Sequence, residues 1–343
     1  MTIERLAATA QAFALPLRSR FRSTDIRHGA LFEGPSGWAE FAPFVEYSDH
    51  IAGRWLAAAL EQAFDSWPQQ MRSQIPINAI IPLLDPAATY EHVVQAVTDF
   101  GMTTIKLKVD DGLPDSHVRD VARVKAARAA LTDLGVNGRI RIDVNGAWSP
   151  QDASHRLAEL DDAAVGLDYV EQPCATVHEL GQLRDLLADS YIKIAVDESI
   201  RLSEQLDGRA LRDVADIAII KSIPIGGVRA ALAVTELVGL PIVVSGSLDT
   251  SVGLASGLAL AASVPALYGA CGLGTGLLFS RDVTSQPLLP IAGELKVQRA
   301  VPDQDLNGTT ELDSEWRQRM IRAWHASAIH LVTSSVREAV ESW

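Results

Sequence analysis

The sequence predicts an α/β fold: a parallel β/α barrel of the TIM type, preceded by a small α+β domain. Three observations lead there. Apolar runs of strand length alternate with helix-like segments eight times between Ile77 and Leu273. Eight such units favour a closed barrel over an open doubly wound sheet, and no G-x-G-x-x-G follows the first strand. Charged residues recur at the carboxyl ends of successive strands, on one face only. The 343 residues suit about two domains at roughly 150 residues each, or one large barrel with an addition.

The elements follow in order. Ala30–Glu33 and Trp38–Phe41 flank a turn at Gly34-Pro35-Ser36-Gly37 and read as a hairpin. Trp55 to Phe64 has helical apolar spacing. These belong to an α+β domain spanning residues 1–75. Strand-like runs then appear at Ile77–Ile81, Thr104–Val109, Arg139–Val144, Tyr169–Glu171, Ile192–Asp197, Ile217–Lys221, Pro241–Ser245 and Tyr268–Leu273. Helix-like segments between them include Ser116–Leu131, Ala153–Leu160, Val177–Leu187 and Val228–Val238. Residues 76–286 are therefore expected to form the barrel. In residues 287–343, Glu311–Ile321 and His325–Val340 look helical and are expected to pack back on the first domain.

Composition narrows the function classes. Hydrophobic residues make up 48% and charged residues 21%, enough for a sizeable core and unlike a disordered chain. The net charge of −13, without a basic patch, argues against a nucleic-acid partner. Two cysteines, Cys174 and Cys271, support neither a disulfide framework nor a Cys-based zinc site and fit a reducing cytoplasm. Residues 1–20 carry Glu4, Arg5, Arg18 and Arg20 and lack the apolar core of a targeting segment. Thr250–Ser280 is uncharged and long enough to span a bilayer. Six glycines and Pro265 interrupt it, so it reads as a buried helix and strand rather than a membrane span.

Strand parity carries the chemistry. Alternate residues of a strand point to opposite faces, and the outer face of a barrel packs on helices. Ile105, Leu107 and Val109 are therefore outward, and Lys106 and Lys108 inward. By the same parity Arg141, Asp143 and Asn145 face inward, followed by Glu171, Asp197 and Lys221 on later strands. Steps of 28, 26 and 24 residues separate Asp143, Glu171, Asp197 and Lys221, each about one β/α unit. Equivalent positions on successive strands converge on the barrel mouth, where barrel active sites are built. Three carboxylates there repel one another unless a divalent cation joins them. Oxygen ligands without nearby Cys or His favour Mg²⁺ over Zn²⁺. The alternative, six inward charges serving only as structural ion pairs, is costly in a barrel core.

Lys106-x-Lys108, Asp143-x-Asn145, Glu171-Gln172-Pro173, Asp197-Glu198-Ser199 and Lys221 resemble the enolase superfamily, muconate-lactonizing subgroup, along the length of the chain. Residues Glu33–Phe44, Arg141–Trp148, Ser247–Leu254 and Cys271–Thr275 are similar to its o-succinylbenzoate synthase family. The resemblance implies a (β/α)7β barrel under an N-terminal α+β capping domain. It implies that Asp143, Glu171 and Asp197 bind Mg²⁺, with Mn²⁺ as a substitute. It implies Mg-dependent syn-dehydration of 2-succinyl-6-hydroxy-2,4-cyclohexadiene-1-carboxylate to 2-succinylbenzoate in menaquinone biosynthesis, through a metal-stabilised enediolate. Lys108 would be the base and return its proton to the departing hydroxide, and Lys221 would stabilise the anion from the other face. Lys106 completes the catalytic set. Its like charge, with that of the metal, should lower the Lys108 pKa so that the amine can accept a proton.

Other candidates sit around this set. Asn145 and Glu198 lie near ligands in sequence and would support them, Glu198 having the alternative of a plain helix-start carboxylate. Arg141 would contact or position substrate, or form a buried structural pair. Ser245, Ser247, Gly272 and Gly274 would let a succinyl group meet the backbone, or serve as turn residues. Arg20 and Arg22 lie where the family carries a cap loop.

Related activities stay open on these residues. N-succinylamino-acid racemase would use Lys108 and Lys221 on opposite faces, and muconate-type cycloisomerases share the machinery. Dipeptide epimerases need an acidic residue after the last strand, and Gly272–Phe279 has none. Mandelate-type racemases need a late His, and none occurs between His178 and His325. A Schiff-base aldolase through Lys221 would leave three carboxylates unused, and a non-catalytic barrel would leave the whole charged set unexplained. In every enzymatic reading the partner is a small molecule, here a carboxylate; no oligomeric state is implied.

Overall fold

The computed structural model describes residues 3–21, 24–203 and 205–342. Near the N-terminus, β1 (Gln11–Phe21), β2 (Thr24–Gly34) and β3 (Gly37–Phe41) form an antiparallel sheet. The hairpin register pairs Glu33 with Trp38 around Gly37, whose φ of 117° suits glycine. The Asp49–Phe64 helix packs on this sheet, its first turn capped by the Ser48 hydroxyl. Strand β1 is an addition to the sequence reading. Its polar outer half, Pro16–Phe21, hides the alternation that marks a strand.

After β4 (Gln74–Pro76), seven parallel strands follow: β5 (Ala79–Ile81), β6 (Thr104–Lys108), β7 (Arg139–Asp143), β8 (Leu167–Glu171), β9 (Ile194–Val196), β10 (Ile217–Ile220) and β11 (Ile242–Val244). They pair in sequence order. The Tyr268–Gly272 segment closes the ring as the eighth member. On one side Tyr268 N and Gly272 N donate to Ile242 O and Val244 O. On the other, Cys271 N donates to Pro76 O, and its carbonyl accepts from Asn78 N. β12 (Glu294–Lys296) pairs antiparallel with β4. The (β/α)7β barrel with an N-terminal cap is thus the observed architecture.

Helices between the strands begin where the sequence supplies caps. Asp85 and Ser149 each precede a proline and accept from the third amide beyond. Thr176 and Glu179 form a reciprocal capping box. The uncharged stretch resolves into the Ser251–Ser263 helix, buried at every residue, and the closing segment. No helix among the described residues is long and apolar enough to cross a membrane.

Parity is visible in the packing. Ile105, Leu107, Ile140, Ile142, Val170, Ile194, Val196, Ala218 and Ile220 join the main core between strands and helices. Tyr169, Ala195, Ile217, Ile219 and Val243 form a separate cluster inside the ring. The C-terminal Thr310–Ala323 helix lies against the N-terminal sheet and helix, with the Trp316 ring edge-on to Phe41 at 5.8 Å.

Candidate active site

Six charged side chains stand on the inward face at the carboxyl ends of β6 to β10. Lys106 Nζ lies 3.1 Å from Asp143 Oδ2 and 2.8 Å from Glu171 Oε2. Lys108 Nζ donates to Asp143 Oδ2 and Asn145 Oδ1, both at 2.6 Å. Lys221 Nζ donates to Asp197 Oδ2 at 2.6 Å. In the ring of eight, Lys108 leaves the second strand and Lys221 the sixth, so they stand on opposite walls. Both line one cavity.

Electrostatics differ sharply between neighbours. Burial opposes the charge on Lys106, but Asp143 and Glu171 outweigh it and hold its pKa well above the ordinary value. Lys108 moves the other way. Burial lowers its pKa, and the Lys106 ammonium adds to this against the pull of Asp143. The direction suits a base, although burial, absent from the sequence argument, is the leading cause. Asp143 is held below the usual range, its burial outweighed by Lys106 and Lys108. Asp197 is also lowered, its burial outweighed by Lys221 and Arg201. Glu171 is pushed up to about 7 by burial and by the Asp143 charge.

Lys106 bridges Asp143 and Glu171, and Lys221 holds Asp197. Among the described residues, no three His, Cys, Asp or Glu side chains are gathered tightly enough to hold a metal as they stand. Their chemistry nevertheless fits a hard divalent cation. All the donors are oxygens, Glu171 ionises reluctantly beside other carboxylates, and Asp197 Oδ1 and Glu198 Oε2 are buried and accept no hydrogen bond.

Backbone features aim these groups. Asn145 and Gln172 follow their strands at φ values of 54° and 41°. The Gln172 side chain ties two strand ends together, accepting from Asp197 N at 3.0 Å and Ser199 N at 3.2 Å. Ser245 and Ser247 line the cavity with Gly246, Leu248, Phe21, Ile80 and Thr275.

Four sequence candidates sit elsewhere. Gly272 lies one layer back, behind Ser245, whose hydroxyl donates to its carbonyl at 3.3 Å. Gly274 faces a neighbouring cavity beside Ile80, Met102 and Leu277. Arg141 points inward but below the charged layer, fully buried. It binds Asp168 at 2.7 Å, Asn78 Oδ1 at 3.0 Å and Ala270 O at 2.7 Å, with its guanidinium over the Tyr169 ring. It is a strut across the barrel floor. Arg20 is exposed, because alternation along β1 turns Phe21 toward the cavity; Arg22 lies outside the described residues.

Arg201 was missed. It lines the cavity, donating to Glu198 Oε1 at 2.6 Å and lying 3.3 Å from Asp197 Oδ1. The signal was its i+4 and i+3 spacing from those carboxylates on a helix start. Arg27 and Glu40 of the N-terminal sheet were also missed. Arg27 Nε donates to Leu248 O at 3.0 Å, while Glu40 binds Thr250.

Comparison with known proteins places this geometry. Residues 12–63 match the enolase N-terminal domain-like family and residues 88–303 the enolase C-terminal domain-like family. The chain is 45% identical to an o-succinylbenzoate synthase of Thermobifida fusca over 92% of its length and 96% of that protein. The chain belongs to the o-succinylbenzoate synthase family of the enolase superfamily. A second synthase, from Mycolicibacterium smegmatis, is also 45% identical, covering 84% of this chain and 86% of that one. Family membership makes this chain a hydro-lyase of the superfamily acting on a small molecule. It also implies use of a divalent metal. Among solved structures, the L-Ala-D/L-Glu epimerase of Bacillus subtilis shares the fold with a TM-score of 0.68 at 21% identity, over 85% of this chain and 96% of that one.

Proposed function

We propose that this synthase-family protein dehydrates 2-succinyl-6-hydroxy-2,4-cyclohexadiene-1-carboxylate to 2-succinylbenzoate, in menaquinone biosynthesis. The observation that carries the mechanism is the placement of Lys108 and Lys221 on opposite walls of one cavity, with Lys108 shifted toward the neutral amine. Lys108 takes the proton from the ring carbon bearing the carboxylate. The electron pair left behind is spread into that carboxylate, while the Lys221 ammonium stabilises the planar anion from the far side. The carbon–oxygen bond then breaks on the Lys108 side. The Lys108 ammonium gives its proton to the departing hydroxide, so water leaves, the base is restored and the ring becomes aromatic.

Lys106, locked between Asp143 and Glu171, keeps positive charge beside the base without competing for the proton. Asp143, Glu171 and Asp197 are the proposed ligands of a divalent cation, taken as Mg²⁺ with Mn²⁺ as substitute. When bound, it would supply positive charge to the substrate carboxylate as negative charge moves onto it. Asn145 and Glu198 support this set, and Ser245 and Ser247 are the proposed substrate contacts. Residues 1–75 are read as the cap and 76–286 as the catalytic barrel, with 287–343 bracing the cap. Two buried, unpaired cysteines suit the proposed cytoplasmic location.

The test is loss of substrate absorbance with Mg²⁺ or with EDTA, for wild type and Lys108→Ala. Fast Mg²⁺-dependent loss, abolished in the variant, supports the reading. No turnover by folded, Mg²⁺-loaded wild type rejects it, and racemisation of N-succinyl amino acids becomes the next assay.

A further inference from the structure

We propose that Arg201 is a positioning residue that couples the seating of the N-terminal domain to the aim of Lys108. The inference rests on the reading of Lys108 as the base. A neutral lysine has two N–H bonds and one lone pair. Two acceptors already face Lys108 Nζ, Asp143 Oδ2 and Asn145 Oδ1, each at 2.6 Å. They occupy both N–H bonds and leave the lone pair for the cavity. After proton abstraction, the third N–H points the same way, toward the leaving hydroxide.

This aim depends on the Asn145 amide presenting its oxygen to Lys108. Glu198 sets that polarity. Its Oε1 accepts from Asn145 Nδ2 at 3.1 Å, so the amide oxygen must turn to the lysine. A flipped amide would set N–H donors against Lys108 and an oxygen against a carboxylate. Arg201 fixes Glu198 in turn, donating to the same Oε1 at 2.6 Å. It is 8% exposed, and its Nε lies 3.3 Å from Asp197 Oδ1.

The other side of Arg201 belongs to the N-terminal domain. Its Nη1 donates to Tyr47 Oη at 3.2 Å, and its carbonyl accepts from Arg54 Nη1 at 3.1 Å. Tyr47 follows β3, and Arg54 lies in the Asp49–Phe64 helix. A chain of contacts therefore runs Tyr47, Arg201, Glu198, Asn145, Lys108. It gives the cap a grip on the base.

The experiment uses the full-length protein loaded with Mg²⁺, and substrate carrying hydrogen or deuterium at the carbon that loses its proton. Wild type, Arg201→Gln, Arg201→Lys and Tyr47→Phe are compared for kcat, KM and the isotope effect on kcat. Arg201→Gln should lower kcat about 10- to 100-fold with KM within about 3-fold, because misaimed groups cost rate rather than binding. Its isotope effect should equal or exceed that of wild type, and Arg201→Lys should recover part of kcat. Tyr47→Phe should lower kcat by a smaller factor, and decides by the same readings if Arg201→Gln does not fold. Unchanged kcat, or a fall in kcat with a smaller isotope effect, overturns the proposal.

A second reading needs no substrate and stands apart from the assigned activity. Thermal melts of Tyr47→Phe, Asn145→Ala and the double variant should be non-additive by about 2 °C or more if the chain is continuous. Additive shifts overturn it, whereas wild type that turns over no substrate while the melts are non-additive refutes the assigned reaction and leaves the chain standing.

Discussion

Glu40, on the third strand of the N-terminal sheet, accepts hydrogen bonds from both the amide and the hydroxyl of Thr250, the residue capping the fully buried Ser251–Ser263 helix. Burial, then the nearby Asp249 charge, pushes Glu40 up to about 8, against the pull of Arg27. An unfolded glutamate titrates near pH 4.3, roughly. Between that value and about 8 the folded state holds a proton that the unfolded state has lost. Stability contributed by Glu40 is therefore full below the unfolded value and is lost as pH rises toward 8. Glu40→Gln should gain melting temperature relative to wild type as pH goes from about 5 to 8. A difference that is flat or falls over this range, read by thermal melts at several pH values, contradicts the assignment.

Lys108→Ala removes the proposed base without disturbing the main core. It should lower kcat by roughly 10²- to 10⁴-fold or more while the far-ultraviolet spectrum and fold persist. Steady-state rates on the cyclohexadiene substrate provide the check; retention of a tenth of the wild-type rate would contradict the role.

Glu171→Gln separates folding from metal binding. In EDTA the variant should be less stable than wild type, because Lys106, buried between Asp143 and Glu171, loses one of its two charged partners. Adding Mg²⁺ should raise the wild-type melting temperature by linkage and the variant's much less. Equal Mg²⁺ shifts in the two proteins would remove Glu171 from the ligand set.

Gly272→Ala tests the wall behind the cavity. A Cβ there would come within 2.6 Å of Ser245 Oγ. The serine must move, at a cost of about 1–3 kcal/mol in stability. Because Ser245 lines the cavity, KM should rise more than kcat falls. An unchanged KM would mean that Ser245 does not meet substrate.

The barrel and its charged layer were legible because both rest on local periodicity. Ile105 and Leu107 alternate with Lys106 and Lys108 within one strand, and the neighbouring strands repeat the pattern. Arg141 obeys the same parity yet serves the floor, since parity gives the face and not the height along the barrel axis. Arg201, Glu40 and Arg27 were harder to see. Arg27 meets Leu248 and Glu40 meets Thr250 across more than two hundred residues, and only tertiary folding brings such partners together. β1 was lost for a related reason: Leu17 bridges to Phe279, far along the chain, while its own outer half reads as polar.

The ring of strands also has a direction in time. The segment leading into its first member, Pro76–Asn78, is secured by Cys271, and β4 waits for β12 at Glu294–Lys296. A chain leaving the ribosome from its N-terminus has made all three acidic residues and all three lysines long before it can close the circle. During that interval Lys106, Asp143 and Glu171 have no finished interior to occupy, and the apolar edges of β5 and β11 stay open to other chains. Such high contact order predicts slow closure. Synthesis past residue 272 is therefore the step that lets the ring close around its charged strand ends.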